Sequence, residues 1–291
     1  MDKIKASAVN FNPVKGDKRA NIDKMRGFIE NAEAEGSNII VFPELCTTGY
    51  DFFTDDTLSV GERIGQCENI EGSTINLFAE IAEKNNMYIV YGFGELKGEE
   101  IYNSCAVLSP IGERYIYRKI HLFGNEGSFF KGGDAPLIFD TPWGKTAVGI
   151  CFDTYSCPEL LRYYASKGVR LYLNPTAMAL EDGEGAKESF CSYYKVCLDY
   201  SVINTGMFII SSNLTGIEDI SHFGGGSVIM GVGKSQLKRP RVEYYAGDIY
   251  SEEEGVFTSE IDLSLVNKRL FIPDKTGNIA YKPEIYSKLY K

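Results

Sequence analysis

Four side chains able to do chemistry stand in this sequence where a buried segment gives out. Cys151 ends the apolar run Ala147-Val148-Gly149-Ile150 just ahead of a helix start, which places a thiol at a strand-to-helix bend. Unpaired N–H groups at a helix N-terminus favour negative charge and a nearby ammonium adds to that, so a thiolate is expected near neutral pH. Glu44 follows Val41-Phe42-Pro43, where a carboxylate is poorly placed unless it serves a site at the strand end. Lys119 lies in Tyr117-Arg118-Lys119-Ile120-His121-Leu122-Phe123, and Glu126 just upstream of the pair Phe129-Phe130. Taken singly, each has a plainer reading. A buried structural thiol is the commoner fate of a cysteine, and the three charged residues would suit surface ion pairs.

The elements that must position these groups follow from periodicity. Residues 4–11 read as a strand, and Ile22, Met25, Phe28, Ile29 and Ala32 recur at helical spacing until Gly36. Residues 39–42 form a buried strand. Ser73 is the expected N-cap of a helix with Ile75, Phe78, Ala79 and Ala82 on one face, and residues 87–93 form the next strand. Residues 103–108 and 113–118, around Ser109-Pro110-Ile111-Gly112, read as an antiparallel hairpin, so the sheet is mixed. Strands follow at 137–140 and 146–150, then a helix opening at the capping box Ser156-Cys157-Pro158-Glu159. Further strands are expected at 169–173, 207–212, 227–232 and 255–261, with a helix over 187–202. No linker interrupts the pattern, so residues 1–291 are expected to form one α/β domain, with a tail from about Pro273 that could pack on a neighbouring subunit.

Bulk properties exclude several functions. Of 291 residues 44% are hydrophobic and 24% charged, the balance of a globular protein. The net charge of −10 would repel a phosphate backbone or an anionic membrane, so no nucleic-acid or membrane partner is expected. The start lacks a secretory signal and no stretch of about 18 apolar residues occurs, which points to the cytoplasm. Seven scattered cysteines without a Cys-x-x-Cys pair indicate neither a disulfide framework nor a zinc site. His121 and His222 share no metal-ligand spacing, so no metal or cofactor is expected.

Taken together, the blocks are specific. Pro43-Glu44-Leu45, Tyr117 to Leu122, Gly149-Ile150-Cys151-Phe152-Asp153 and Pro158-Glu159-Leu160-Leu161-Arg162 resemble, in this order, motifs of the nitrilase superfamily of carbon-nitrogen hydrolases. Asn174-Pro175-Thr176-Ala177 and Gly225-Gly226-Ser227 resemble later family segments. The resemblance implies a four-layer α-β-β-α sandwich and a catalytic triad of Glu44, Lys119 and Cys151. Glu126 matches a second active-site glutamate, expected to position Lys119 and the substrate amide or to act as a structural ion pair. Tyr50, Phe152, Tyr155 and Thr176 are the expected substrate contacts. The implied reaction is cysteine-dependent hydrolysis of a small amide or N-carbamoyl compound through a thioester, in the amidase and carbamoylase branch that Asp153 resembles.

The chain also departs from the pattern. One residue is apparently inserted within Thr154-Tyr155-Ser156-Cys157, and no arginine lies between Cys151 and Leu161, where relatives acting on acid-bearing substrates often carry one. The acidic Glu181-Asp182-Gly183-Glu184 favours a neutral or cationic amide, although a solvated loop would explain it too. Competing readings are a nitrile hydrolase, an amide acyltransferase, a papain-like pair of Cys151 with His121 or with a loop-borne His222, and a catalytically silent scaffold. Gly226 to Ser235 imitates a phosphate loop, but Val228 stands where glycine is required. The family resemblance further implies a homodimer or higher homo-oligomer built through helices near 156–167 and 187–200. On the second of these, Cys191, Tyr193, Tyr194 and Val196 suit either an interface or the core.

Overall fold

The central strands are buried on both faces, which is the pattern of a sheet covered on each side. The computed structural model describes residues 1–234 and 241–289. Its strands are β1 (Lys3–Asn10), β2 (Ile39–Val41), β3 (Tyr88–Lys97), β4 (Glu100–Leu108), β5 (Arg114–Arg118), β6 (Leu137–Thr141), β7 (Gly144–Val148), β8 (Leu171–Thr176), β9 (Phe208–Asn213), β10 (Thr215–Ile217), β11 (His222–Gly224), β12 (Val228–Gly233), β13 (Arg241–Gly247) and β14 (Gly255–Asp262). The helices are α1 (Lys18–Ala34), α2 (Tyr50–Thr54), α3 (Val60–Gln66), α4 (Ser73–Asn85), α5 (Phe152–Tyr155), α6 (Pro158–Ser166), α7 (Ala186–Thr205) and α8 (Pro283–Leu289).

Two six-stranded mixed sheets result, ordered β14-β1-β2-β3-β4-β5 and β13-β12-β9-β8-β7-β6. In the first, β1, β2 and β3 run parallel; in the second, β7, β8 and β9 do. Ala6, Ala8, Ile39, Val41 and Val90 of one sheet meet Val148, Leu171, Leu173 and Ile210 of the other in a shared core. Their alternates, including Val9, Ile40, Ile89 and Tyr91, lie under Met25, Ile29 and Ala32 of α1 and Ile75, Phe78 and Ala82 of α4. On the far side Tyr172, Ile209 and Met230 lie under Leu161 and Tyr164 of α6 and Tyr194, Leu198 and Val202 of α7. This is the four-layer α-β-β-α sandwich, and each large aliphatic side chain so covered contributes roughly 1.5–3 kcal/mol. No helix among the described residues is long and apolar enough to cross a membrane.

Several local readings change. Ser73 is the first residue of α4 rather than its cap, and the Glu68 carboxylate takes the Thr74 N–H instead, at 2.9 Å. The capping box at Ser156 does not form. A proline bars the residue before it from helical geometry, so Cys157, at φ −124° and ψ 67°, becomes the N-cap and α6 opens at Pro158. His222 lies on a short strand, β11, paired with β10, rather than in a loop. β13 is a further strand, not among those expected from the sequence, and pairs with β12 along the sheet edge. The segment that imitates a phosphate loop is β12 up to Gly233; Ser235 lies outside the described residues.

Candidate active site

Parallel strands bring their carboxyl ends to one edge, and the turns leaving those ends carry the polar groups. Glu44 follows β2, Lys119 follows β5, Cys151 follows β7 and Thr176 closes β8. Strand β8 ties two of these turns together. The Cys151 N–H donates to the Pro175 carbonyl at 3.0 Å and the Glu44 N–H to the Thr176 carbonyl at 3.4 Å. Gly92 on β3 makes room for the Glu44 turn: a Cβ there would lie 2.4 Å from the Leu45 nitrogen and 2.6 Å from Glu44 Cα. Cys151 itself sits at φ 48° and ψ −103°, a conformation that L-residues avoid and that costs on the order of 1–3 kcal/mol.

The charged side chains converge in a buried cluster. Lys119 Nζ lies 2.8 Å from Glu44 Oε1 and 2.8 Å from Glu126 Oε1, with all three side chains fully buried. Asn103 donates to Glu44 Oε1 at 2.7 Å, Tyr50 Oη to Glu126 Oε1 at 2.8 Å, and the Phe123 N–H to Glu126 Oε2 at 3.0 Å. Glu44 Oε2 is buried and accepts no hydrogen bond. Burial raises the Glu44 carboxyl above its ordinary value; Lys119 opposes this and Glu126 adds to it. For Lys119, burial favours the neutral amine but is outweighed by Glu44, Cys151 and Glu126, so the ammonium persists.

The thiol does not behave as the bend alone suggests. Burial and the adjacent Glu44 push Cys151 up to about 12, and Lys119 and the Thr176 hydroxyl only partly offset them. Burial beside Glu44 thus favours the thiol over the thiolate that the bend alone suggests. A helix of one turn, α5, cannot compensate for that desolvation.

Asp153 is the hub that joins the cysteine turn to the lysine segment. It accepts Tyr117 Oη at 2.8 Å, the His121 N–H at 3.0 Å, His121 Nδ1 at 2.7 Å and the Ile150 N–H at 2.9 Å. Lys119 is thereby held from both sides. His121 is committed to Asp153, and His222 to Glu252 at 2.9 Å, which leaves Cys151 facing Glu44 and Lys119 rather than an imidazole.

A cavity of about 530 Å³ opens above Cys151, its walls formed by rings of Tyr50, Phe123, Phe152, Tyr155, Phe190 and Phe223. Tyr50, Phe152 and Tyr155 thus reach the cavity. Thr176 is buried behind the thiol, where its hydroxyl accepts Tyr155 Oη at 3.0 Å. Asn103 and the lining residues Met178, Leu180 and Phe190 were not read from the sequence. A polar residue inside the apolar run of β4 was the available signal for Asn103.

The sequence profile described as carbon-nitrogen hydrolase matches residues 5–269. The chain belongs to the carbon-nitrogen hydrolase family. Among relatives of this hydrolase, a nitrilase from Pyrococcus abyssi is 31% identical over 270 residues, covering 92% of this chain and 93% of the other. An omega-amidase from Xenopus laevis is 32% identical over 198 residues, covering 63% of this chain and 67% of its own. The fold is that of an amidase from Nesterenkonia sp., with a TM-score of 0.74 at 19% identity over 99% of this chain and 97% of that one. In another structure of that amidase, the acetamide moiety of fluoroacetamide is added covalently at its active-site cysteine.

Proposed function

We propose that this carbon-nitrogen hydrolase cleaves a small amide or N-carbamoyl compound through a thioester on Cys151. The observation that carries the reading is the buried Lys119 amine held at 2.8 Å by both Glu44 and Glu126, beside the Cys151 sulfur in the lining of a cavity. Glu44, with its unengaged Oε2, takes the thiol proton as sulfur attacks the amide carbon. Lys119 and the Phe152 N–H hold the oxyanion, where one donor is typically worth about 2.7–4 kcal/mol. As the tetrahedral adduct collapses, Glu44 returns the proton to the departing nitrogen, and ammonia or an amine leaves. Glu44 then deprotonates the water that attacks the thioester, releasing the acid and restoring the thiol. Glu126 holds the ammonium in place through this cycle.

The cavity favours a neutral or cationic acyl portion. Glu181 is the charged side chain among its described lining residues, and the rest of the wall is aromatic, aliphatic or hydroxyl-bearing. An acid-bearing amide would meet no cation there except the Lys119 already shared by two carboxylates. The fold and the adduct on the related amidase's cysteine agree with amide chemistry.

A screen of simple amides, ω-amides with anionic and cationic ends, carbamoyl compounds and nitriles for ammonia release tests the reading, with Cys151→Ala as the blank. Turnover of neutral or cationic amides or carbamoyl compounds, lost in Cys151→Ala, is expected. Turnover of nitriles alone would transfer the reading to the chemistry named for the Pyrococcus abyssi relative.

A further inference from the structure

Helix α2 is only five residues long, and its N-cap, Gly49, has no side chain to cap it. Its leading N–H groups are met instead from a distant part of the chain. Glu218, in the turn between β10 and β11, accepts the Tyr50 N–H at 2.9 Å and also faces the N–H groups of Asp51 and Phe52. Gly49 (φ 88°) leaves the space this requires, since a Cβ there would lie 1.9 Å from Glu218 Oε1. The arrangement is reciprocal. Asp51, 2% exposed, accepts the N–H groups of Asp219, Ile220 and Ser221 at 3.2, 3.0 and 2.9 Å and the Ser221 hydroxyl at 2.6 Å. Lys15 adds a third tie, bridging Asp219 to Asp55 just beyond the helix. Each segment therefore supplies the acidic side chain that meets the other's backbone.

What the joint holds is part of the site. Tyr50 opens α2, and its hydroxyl reaches the Glu126 oxygen that receives Lys119. The Tyr50 ring packs edge-on against Phe223 at 6.1 Å, and Phe223 and Ser221 line the cavity. We propose that Glu218 is a positioning residue that acts through Tyr50: by capping α2 from across the site it sets the Tyr50 hydroxyl on Glu126, and with it the seat of Lys119. This rests on the catalytic reading given above.

The chemistry suggests a conservative replacement. Burial, together with Asp51 nearby, pushes the Glu218 carboxyl up to about 8, which favours the neutral acid, whose carbonyl oxygen can accept the Tyr50 N–H. Glutamine offers the same carbonyl and leucine does not.

The test is a double-mutant cycle on the full chain, read by steady-state ammonia release from an amide that the wild type hydrolyses. Glu218→Gln should keep kcat and KM within about twofold, whereas Glu218→Leu should lower kcat about tenfold with KM changed less than about twofold. In a Tyr50→Phe background the leucine change should cost less than about twofold. Alkylation of Cys151 by iodoacetamide, which needs no turnover, is followed across pH in the same variants. Its profile should match wild type in Glu218→Gln and be displaced in Glu218→Leu only when Tyr50 is present. If Glu218→Leu does not fold, Glu218→Asp, which shortens the reach by one methylene, takes its place with the same expectations. An equal loss with and without the Tyr50 hydroxyl, or a glutamine variant as impaired as the leucine one, would overturn the proposal. A wild type inert on every amide and carbamoyl compound would defeat the catalytic reading instead, and the alkylation cycle would still decide the role of Glu218.

Discussion

Replacing Asp153 by Asn changes one atom and should cost both stability and rate. The wild-type carboxylate receives four donors, two on each oxygen: the His121 N–H and Nδ1 on Oδ1, Tyr117 Oη and the Ile150 N–H on Oδ2. An amide offers one oxygen and an NH2. If its nitrogen replaces Oδ2, the Tyr117 hydroxyl can turn and accept, but the Ile150 N–H loses its partner. If it replaces Oδ1, the imidazole can change tautomer, but the His121 N–H is orphaned. Either way one backbone donor goes unpaired, at about 1–3 kcal/mol, and the remaining bonds lose their charge assistance, for about 3 kcal/mol in all. For a chain of this size that lowers Tm by roughly 5–10 °C.

The same change loosens Lys119, whose flanking residues Tyr117 and His121 both hang on Asp153, so kcat/KM should fall about a hundredfold. The effect on stability depends on pH. Hydrogen bonding to Asp153 raises the His121 pKa, so its contribution is fully present below the unfolded value near 6.5 and is lost as pH rises through the folded value. The Tm gap between wild type and variant should therefore be wider at pH 5.5 than at pH 9. Scanning calorimetry at the two pH values and ammonia-release kinetics check both claims. A variant with unchanged Tm would refute the donor count, and one that is destabilised yet fully active would refute the coupling of Asp153 to Lys119.

Because burial raises the Glu44 carboxyl, the acid limb of kcat/KM should lie above the ordinary value of 4.5, and Cys151, up at about 12, should contribute no alkaline limb near neutrality. Glu126→Gln removes a negative charge that raises Glu44, so that limb should move to lower pH as kcat falls; a pH profile showing it fixed or moved upward would contradict the shared cluster. The second expected copy of the chain belongs on the α6 and α7 surface, where Tyr163, Tyr193, Val196, Tyr200 and Ile203 are 37–63% exposed. Sedimentation should give a dimer for the wild type and a monomer for the double change Val196→Glu/Tyr200→Glu.

The sequence revealed most where periodicity and chemistry act locally. The buried faces of α1 and α4 were legible residue by residue because Met25, Ile29 and Ala32, like Ile75, Phe78 and Ala82, repeat at helical spacing. On α7 the same pattern was ambiguous. Cys191 and Tyr194 are core while Tyr193 and Val196 are exposed, and only the crossing of α7 over β9 and β12 decides which stripe is which. The capping box at Ser156 misled because Pro158 restricts Cys157 more strongly than a serine side chain can recruit a helix. β13, β10 and β11 escaped because three-residue strands carry no measurable period and β13, at the sheet edge, has no fully buried residue.

The protonation of Cys151 could not have been read from its neighbours in sequence, because it depends on burial and on groups distant along the chain, Glu44 and Lys119 foremost. A bend and a helix start argue for a thiolate; burial beside Glu44 argues for a thiol, and the latter is the larger effect. The arrangement is self-consistent. A permanently ionised thiolate would place a third negative charge against the ammonium of Lys119, which Glu44 and Glu126 already share. Keeping the proton on sulfur avoids that cost and leaves Glu44 as the acceptor. Its raised pKa makes it a stronger base than a surface glutamate, so proton transfer and attack can occur together when a substrate carbonyl arrives to take up the new charge.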